Sequence, residues 1–263
     1  MSVLIRYQDN SRFEFKCFSY GENDFYEKQM YNLRYQVYCL EKGFLKASDY
    51  PDYLETDDYD PCSRYVAAFS QTGIMVGGIR MIRVPAGGAF PFQKHCDALF
   101  PDFSMPDKAV CVEISRAMVS KEYLRRKDDD LWRFLTSLSS AKTPQDKRKL
   151  EDRRYAEQLH GGGGTAEKAK MILNDRRQYS DIFVGIIREV YRQSKRDKIE
   201  YWVGAMEKSL GRLLGSLCFC FDPIGNEVDY YGTVTPYITS LKKLDESLKT
   251  GNPKLFEWFQ PDD

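Results

Sequence analysis

The stretch CVEISRAMVS, residues 111–120, sets Glu113, Ser115 and Arg116 into a run that otherwise has the composition of a buried strand. Burying a lone charge is costly, so each charged group there must be paired, hydrogen-bonded or functional. Three earlier groups share this character. Arg34 and Tyr38 stand one helical turn apart and so share a face. Glu55, Asp57, Tyr59 and Asp60 form an acidic cluster, E-x-D-x-Y-D, and Arg80 sits inside GGIRMIR, another strand-like run. Residues of these types suit proton transfer and the stabilisation of charge at a reacting centre. Singly, each has an ordinary structural reading: an arginine snorkelling, aspartates making turns, a Glu113–Arg116 ion pair. Together and in this order they are far more specific.

The elements that must position them follow from hydrophobic periodicity. Met30, Leu33, Val37 and Leu40 recur at helical spacing, which predicts an amphipathic helix over 25–44 ending near Gly43. Residues 46–63 are acidic and turn-rich, a loop. RYVAAFS (64–70) and GIMVGGIRMIRV (73–84) read as two strands joined by a short turn, and AVCVEISRAMVS (109–120) as a third. Residues 179–198 form a second amphipathic helix, IEYWVGAM (199–206) a buried strand, and EKSLGRLLGSLC (207–218) a short helix. The stretch 219–244 reads as a final hairpin with Gly225-Asn226 in the turn zone. The order implies an α/β domain with a mostly antiparallel front half. Residues 129–178 are charged, poor in apolar residues and contain four consecutive glycines, so a mobile insertion within a single domain spanning 1–263 is expected.

Composition narrows the classes. The chain has 263 residues, 42% of them hydrophobic, enough for a substantial core. Its 39 basic residues balance 39 acidic ones, which gives no support to nucleic-acid or membrane-surface binding. No apolar run approaches the ~20 residues of a membrane span, and the polar start is unlike a secretory signal. The seven cysteines are scattered and odd in number, so free thiols in a reducing cytoplasm are expected. Only two histidines are present, so no metal site is expected.

The ordered set Arg34, Tyr38, Phe44, Asp57, Asp60, Arg80, Glu113 and Arg116 resembles the signature of the acyl-homoserine-lactone (autoinducer) synthases, a branch of the GNAT-type N-acyltransferases. Phe44 stands where that family usually has Trp, and Tyr38 where it usually has Phe, which counts against S-adenosylmethionine as acceptor. The resemblance is strong over about residues 25–125. The stretch from Arg34 to Ser63 is more similar still to acyltransferases associated with bacterial PEP-CTERM/exosortase systems, relatives of the N-acyl amino acid synthases. The resemblance implies a GNAT-like α/β fold, its mixed central sheet flanked by helices and its two central strands splayed, here 109–120 and 199–206. It also implies transfer of a fatty acyl group from an acyl-phosphopantetheine thioester, on acyl-carrier protein or coenzyme A, to the amine of an amino acid or related small molecule. No permanently bound cofactor is implied. Two other outcomes stay open: synthesis of an acyl-homoserine lactone, and a non-catalytic acyl-binding protein on the same fold.

In this scheme Glu113 is the base, acting through water, and Arg80 is the second catalytic residue. Arg34, Tyr38, Phe44, Asp57, Asp60, Ser115 and Arg116 bind substrate or position the loop. Glu113 and Ser115 share a strand face; Arg116 points away unless a bulge intervenes, and then pairs with Asp57 or Asp60. Enzymes of this superfamily that use coenzyme A carry a glycine-rich turn after the strand to cradle the pyrophosphate. Here that position reads KEYLRRKDDD, without glycine. Lys121, Arg125, Arg126 and Lys127 then form either a docking patch for an acidic carrier protein or a solvated loop.

Overall fold

The computed structural model describes residues 13–96, 99–121 and 182–261. Within them, strands β1 (Phe13–Ser19), β2 (Ser63–Ser70), β3 (Met75–Ile82) and β4 (Cys111–Val119) form an antiparallel run. β4 then pairs in parallel with β5 (Tyr201–Met206), and β5 pairs antiparallel with β8 (Thr233–Ser240). The short strands β6 (Asp222–Pro223) and β7 (Val228–Asp229) complete the sheet on β8. The mixed, mostly antiparallel sheet expected from the sequence is present.

β2 and β3 are buried on both faces because helices cover both. On one face lies helix α1 (Asp24–Arg34), capped by the Asn23 side chain. On the other lies helix α3, residues 182–196. The paired glycines of β3 make room for each: a Cβ on Gly78 would fall 2.7 Å from Met30, and one on Gly77 would fall 3.0 Å from Ile182 and Ile186. The α1 face carries two apolar clusters. One gathers Met30, Leu33, Tyr65, Phe69 and Met118; the other gathers Phe90, Phe92, Cys111 and Val203 with the short helix α2 (Pro91–His95).

Three expectations need correction, and one strand was not read from the sequence. The first helix continues past Arg34 as a π-helix, Tyr35–Glu41. Its wider turn rotates the apolar stripe, so Met30, Leu33 and Val37 are buried but Leu40 is 61% exposed. β1, a half-exposed edge strand, had no clear signal in the sequence. The tight turn before β8 falls at Tyr230–Gly232 rather than Gly225-Asn226, and Gly225 bridges to Leu99. β8 ends at Ser240, which caps a helix instead of continuing a hairpin. After α4 (Lys208–Ser216), the chain closes with α5 (Leu241–Gly251) and α6 (Pro253–Phe259). Among the described residues no helix is long and apolar enough to cross a membrane. The expected insertion, 129–178, lies outside the described residues.

Candidate active site

β4 and β5 pair only from Cys111↔Tyr201 to Glu113↔Val203, and then separate. Gly204 sits at the point of separation: a Cβ there would fall 2.6 Å from the Ile114 carbonyl oxygen. β4 keeps pairing with β3, but Arg80 faces Ser115 while Gly78 faces Met118, so β4 holds one extra residue. This is the bulge the sequence left open. Arg116 adopts a left-handed backbone, φ 51°, and turns its side chain to the face that carries Ser115.

Three arginines and three carboxylates interlock on that face. Arg34 donates to Glu55 at 2.5 Å and to Asp60 at 2.6 Å. Arg80 donates to Asp57 at 2.6 Å, to Asp60 at 2.9 Å and to Ser115 Oγ at 3.1 Å. Arg116 holds both oxygens of Glu55, at 3.0 and 3.2 Å, and reaches Asp57 at 3.3 Å. The expected Arg116–Asp57 pair is therefore present, but Asp60 goes to Arg34, Arg80 and the Tyr65 hydroxyl. Glu55 is the principal partner of Arg116, and it had no assigned role in the sequence reading. Its signal was arithmetic: three arginines in one buried constellation need three carboxylates, and Asp57 and Asp60 supply only two.

Burial would raise the Glu55 carboxyl, but the Arg34 and Arg116 guanidiniums overcome it and hold it at about 2. Burial opposes Asp57 in the same way; Arg80, Arg34 and Arg116 bring it to about 2. These carboxylates are locked as anions and are poor bases.

Glu113 differs. It is 2% exposed, and burial lifts its carboxyl to about 8, against the opposing pull of the Phe92 amide, Arg80 and Arg116. Its Oε2 accepts from Phe92 N–H at 3.1 Å, at the start of α2. It is the last residue of β4 in register with β5 before the strands part.

Aromatic rings rim the opening. Tyr38 donates to the Ala117 carbonyl inside the bulge at 3.1 Å, and its ring lies 6.4 Å from that of Phe44. Phe44 packs on Gly232 in the turn before β8. From the same turn Tyr230 stacks on His95, with centroids 4.1 Å apart, and Tyr231 approaches Arg116. His95, Tyr230 and Tyr231 were not found from the sequence: Tyr230 and Tyr231 belong to the stretch read as a hairpin, and His95 lies between the strands read at 73–84 and 109–120. Lys121 is exposed just beyond β4; Arg125, Arg126 and Lys127 lie outside the described residues. Among the described residues no group of three His, Cys, Asp or Glu side chains is placed to hold a metal ion.

The mixed, mostly antiparallel sheet flanked by helices is that of a GNAT fold, and residues 33–133 match the acetyltransferase (GNAT) domain family. Among solved structures the chain is similar to a CoA-dependent acyl-homoserine lactone synthase, BjaI, with SAM and isopentyl-CoA, at 16% identity and a TM-score of 0.56 over 90% of this chain and 88% of that one. It is similar to the AHL synthase LasI at 16% identity and a TM-score of 0.56, over 90% of this chain and 95% of that one. It is similar also to TofI in a ternary complex with an inhibitor and MTA, at 14% identity and a TM-score of 0.54, over 88% and 96%. At such identities the likeness is one of fold. Among curated proteins no sequence matches the chain.

Proposed function

We propose that the chain is an N-acyltransferase that moves a fatty acyl group from an acyl-phosphopantetheine thioester to the amine of an amino acid or related small molecule. The observation that carries this reading is Glu113: a buried carboxyl, raised to about 8, at the fork of β4 and β5. A base of that strength is well matched to an amine that must lose a proton near neutral pH. The thioester arm lies between the parted strands, pairing with backbone as an added strand does. The acceptor ammonium gives its proton through water to the Glu113 carboxylate. The nitrogen lone pair then forms the C–N bond at the thioester carbon, and backbone N–H groups freed by the parting steady the oxyanion. Collapse breaks the C–S bond; the nitrogen releases its second proton, and the thiolate leaves as a thiol. Arg80 acts through its charge near Glu113 and through Ser115, while the other cage residues hold the acidic loop over the acceptor pocket.

Carrier protein is the preferred donor in this reading, because KEYLRRKDDD lacks the glycines of a pyrophosphate cradle. All seven cysteines are free thiols, which agrees with a cytoplasmic setting. The single domain with its insertion at 129–178, and the association with PEP-CTERM/exosortase systems, are parts of the same proposal. The test is incubation of the purified protein with acyl-carrier protein or acyl-coenzyme A, a pool of amino acids and S-adenosylmethionine. New N-acyl amino acids, absent with Glu113→Gln, are expected. An acyl-homoserine lactone would shift the assignment to autoinducer synthesis, and a retained acyl chain without turnover would mark a non-catalytic binder.

A further inference from the structure

The face of the sheet turned away from the arginine–carboxylate cage carries a cleft of its own. The paired glycines of β3 settle the two faces: Gly78 lies against Met30 of α1, and Gly77 against Ile182 of α3. By alternation Arg80 shares the α1 face with the cage, while Met81 and, just past the strand end, Arg83 face α3. β2 sets Arg64 opposite Met81. Cys62 stands opposite Arg83, whose N–H donates to the Cys62 carbonyl at 3.0 Å. Where these residues meet Asp197 and Ile199, in the chain leaving α3, a cleft of about 140 Å³ opens.

The two zones of the cleft differ in chemistry. Met81, Val112 and Ile199 line it and are buried, an apolar floor. The mouth carries two guanidiniums, Arg64 and Arg83, against one carboxylate, Asp197. Arg64 uses Nη1 on Asp197 at 2.5 Å and Nε on Ser19 Oγ at 3.4 Å. Asp197 is fully engaged, because Gln193 Nε2 donates to its other oxygen at 3.0 Å. Arg83 donates through Nη2 to the Ala109 carbonyl at 3.2 Å, and among the described residues no carboxylate pairs with it. The charged lining therefore holds one positive charge in excess. Arg64 Nη2 and Arg83 Nε and Nη1 are donors that the described residues leave unused.

We infer that this cleft binds a small carboxylate with a short aliphatic body, the carboxylate on the Arg64 and Arg83 guanidiniums and the hydrocarbon on Met81, Val112 and Ile199. The site stands apart from acyl transfer and does not rest on that reading. Guanidinium donors match the two oxygens of a carboxylate in a planar fork. A cavity of about 150 Å³ holds a benzene-sized molecule, so an acid of about five carbons fits. Phosphate fits less well, because its remaining oxygens would need donors deeper in the cleft. The floor has none, and the Cys62 thiol and Ser63 hydroxyl both give their protons to the Tyr59 carbonyl, at 3.2 and 2.6 Å. A neutral amide of the same shape fills the floor but leaves the excess charge unanswered.

The test titrates the purified full chain with pentanoate, pentanamide and inorganic phosphate, read by calorimetry and by backbone amide shifts. Pentanoate should bind saturably with a Kd of about 1 mM or below. Its shifts should centre on Cys62–Arg64 and Met81–Arg83. Pentanamide and phosphate should each bind about tenfold more weakly or worse. Arg83→Gln alters an exposed side chain with a single hydrogen bond to the protein. It should melt with the unaltered chain and weaken pentanoate about tenfold. Pentanoate held as tightly by Arg83→Gln, or an amide or phosphate binding as well as the acid, overturns the proposal. So does the absence of saturable binding. Shifts centred on Ser115–Ala117 would also overturn it, by placing the acid on the opposite face of the sheet.

Discussion

β4 and β5 run side by side from Cys111↔Tyr201 to Glu113↔Val203, and from there they diverge in kind as well as direction. β5 stays regular: all six of its residues pair in unbroken register with β8, from Tyr201↔Ser240 to Met206↔Thr235. β4 bulges, takes Arg116 through a left-handed backbone and loses full burial over Ile114–Ala117. One strand is a regular wall, while the other carries the bulge and the buried carboxyl. The bulge places Ser115 and Arg116, neighbours in sequence, on one face, which a regular strand cannot do. A non-glycine residue in that backbone conformation costs about 1–3 kcal/mol, and the Glu55 and Asp57 pairs offset it.

The largest effect should separate Glu113 from its register partner Val203. Glu113→Gln keeps the acceptor for the Phe92 amide and removes the base, so acyl transfer should fall about 10²–10⁴-fold without any loss of melting temperature at neutral pH. Val203→Ala should do the reverse, losing roughly 1–3 kcal/mol of stability while each folded molecule keeps its rate. Equal rate losses in both variants would erase the distinction between the strands. Next in size is Glu55→Ala, which leaves Arg34, at 0% exposure, with Asp60 and removes the principal partner of Arg116, leaving three guanidiniums for two carboxylates. Urea unfolding should show a loss of about 3–5 kcal/mol. A change below 1 kcal/mol would mean that the cage contributes no more than a surface pair.

The difference between the strands also explains what was legible in advance. AVCVEISRAMVS and IEYWVGAM announce themselves as strands by nearly unbroken apolar runs, and Glu113, Arg80 and Arg116 stand out because charge in such a run demands a partner. How far two strands pair is a tertiary property; the one local trace of the fork was Gly204, which looks like any strand glycine until Ile114 is placed beside it. The π-turn that exposes Leu40 was hidden for a related reason, since residue types do not report the number of residues per turn. β1 was missed because an edge strand, half wet, lacks a clean alternation. Tyr230 and Tyr231 reach the site only through the position of a turn that pairing with β8 decides.

Gly204 gives the intermediate test. Gly204→Ala puts a methyl group against the Ile114 carbonyl, a backbone atom that cannot rotate aside, and should cost about 1–3 kcal/mol. Gly215→Ala in α4 meets nothing within 4 Å and should be neutral or stabilising by up to about 1 kcal/mol. If the two variants melt alike, contact at the fork is looser than the geometry indicates.

The smallest effect is the most specific, because it follows one proton. The Glu113 carboxyl is raised from 4.5 to about 8 in the folded chain, so the folded state binds that proton more tightly than the unfolded state. Its contribution to stability is therefore full below the unfolded value and is lost as pH rises through about 8. Glu55 and Asp57, held down at about 2, have the opposite sign: their contribution is present above the unfolded values of 4.5 and 3.8 and is lost only as pH falls toward 2. Between pH 7 and 8 Glu55 and Asp57 are silent, and of these three carboxyls Glu113 alone titrates. Over that unit stability should fall by about 1 kcal/mol, while the acyl-transfer rate rises about fivefold as the base ionises. Glu113→Gln should flatten the stability slope and abolish the rise in rate together. Were the variant to keep the slope of the unaltered protein, the titrating group would lie elsewhere, and β4 would lose its claim to the reacting proton.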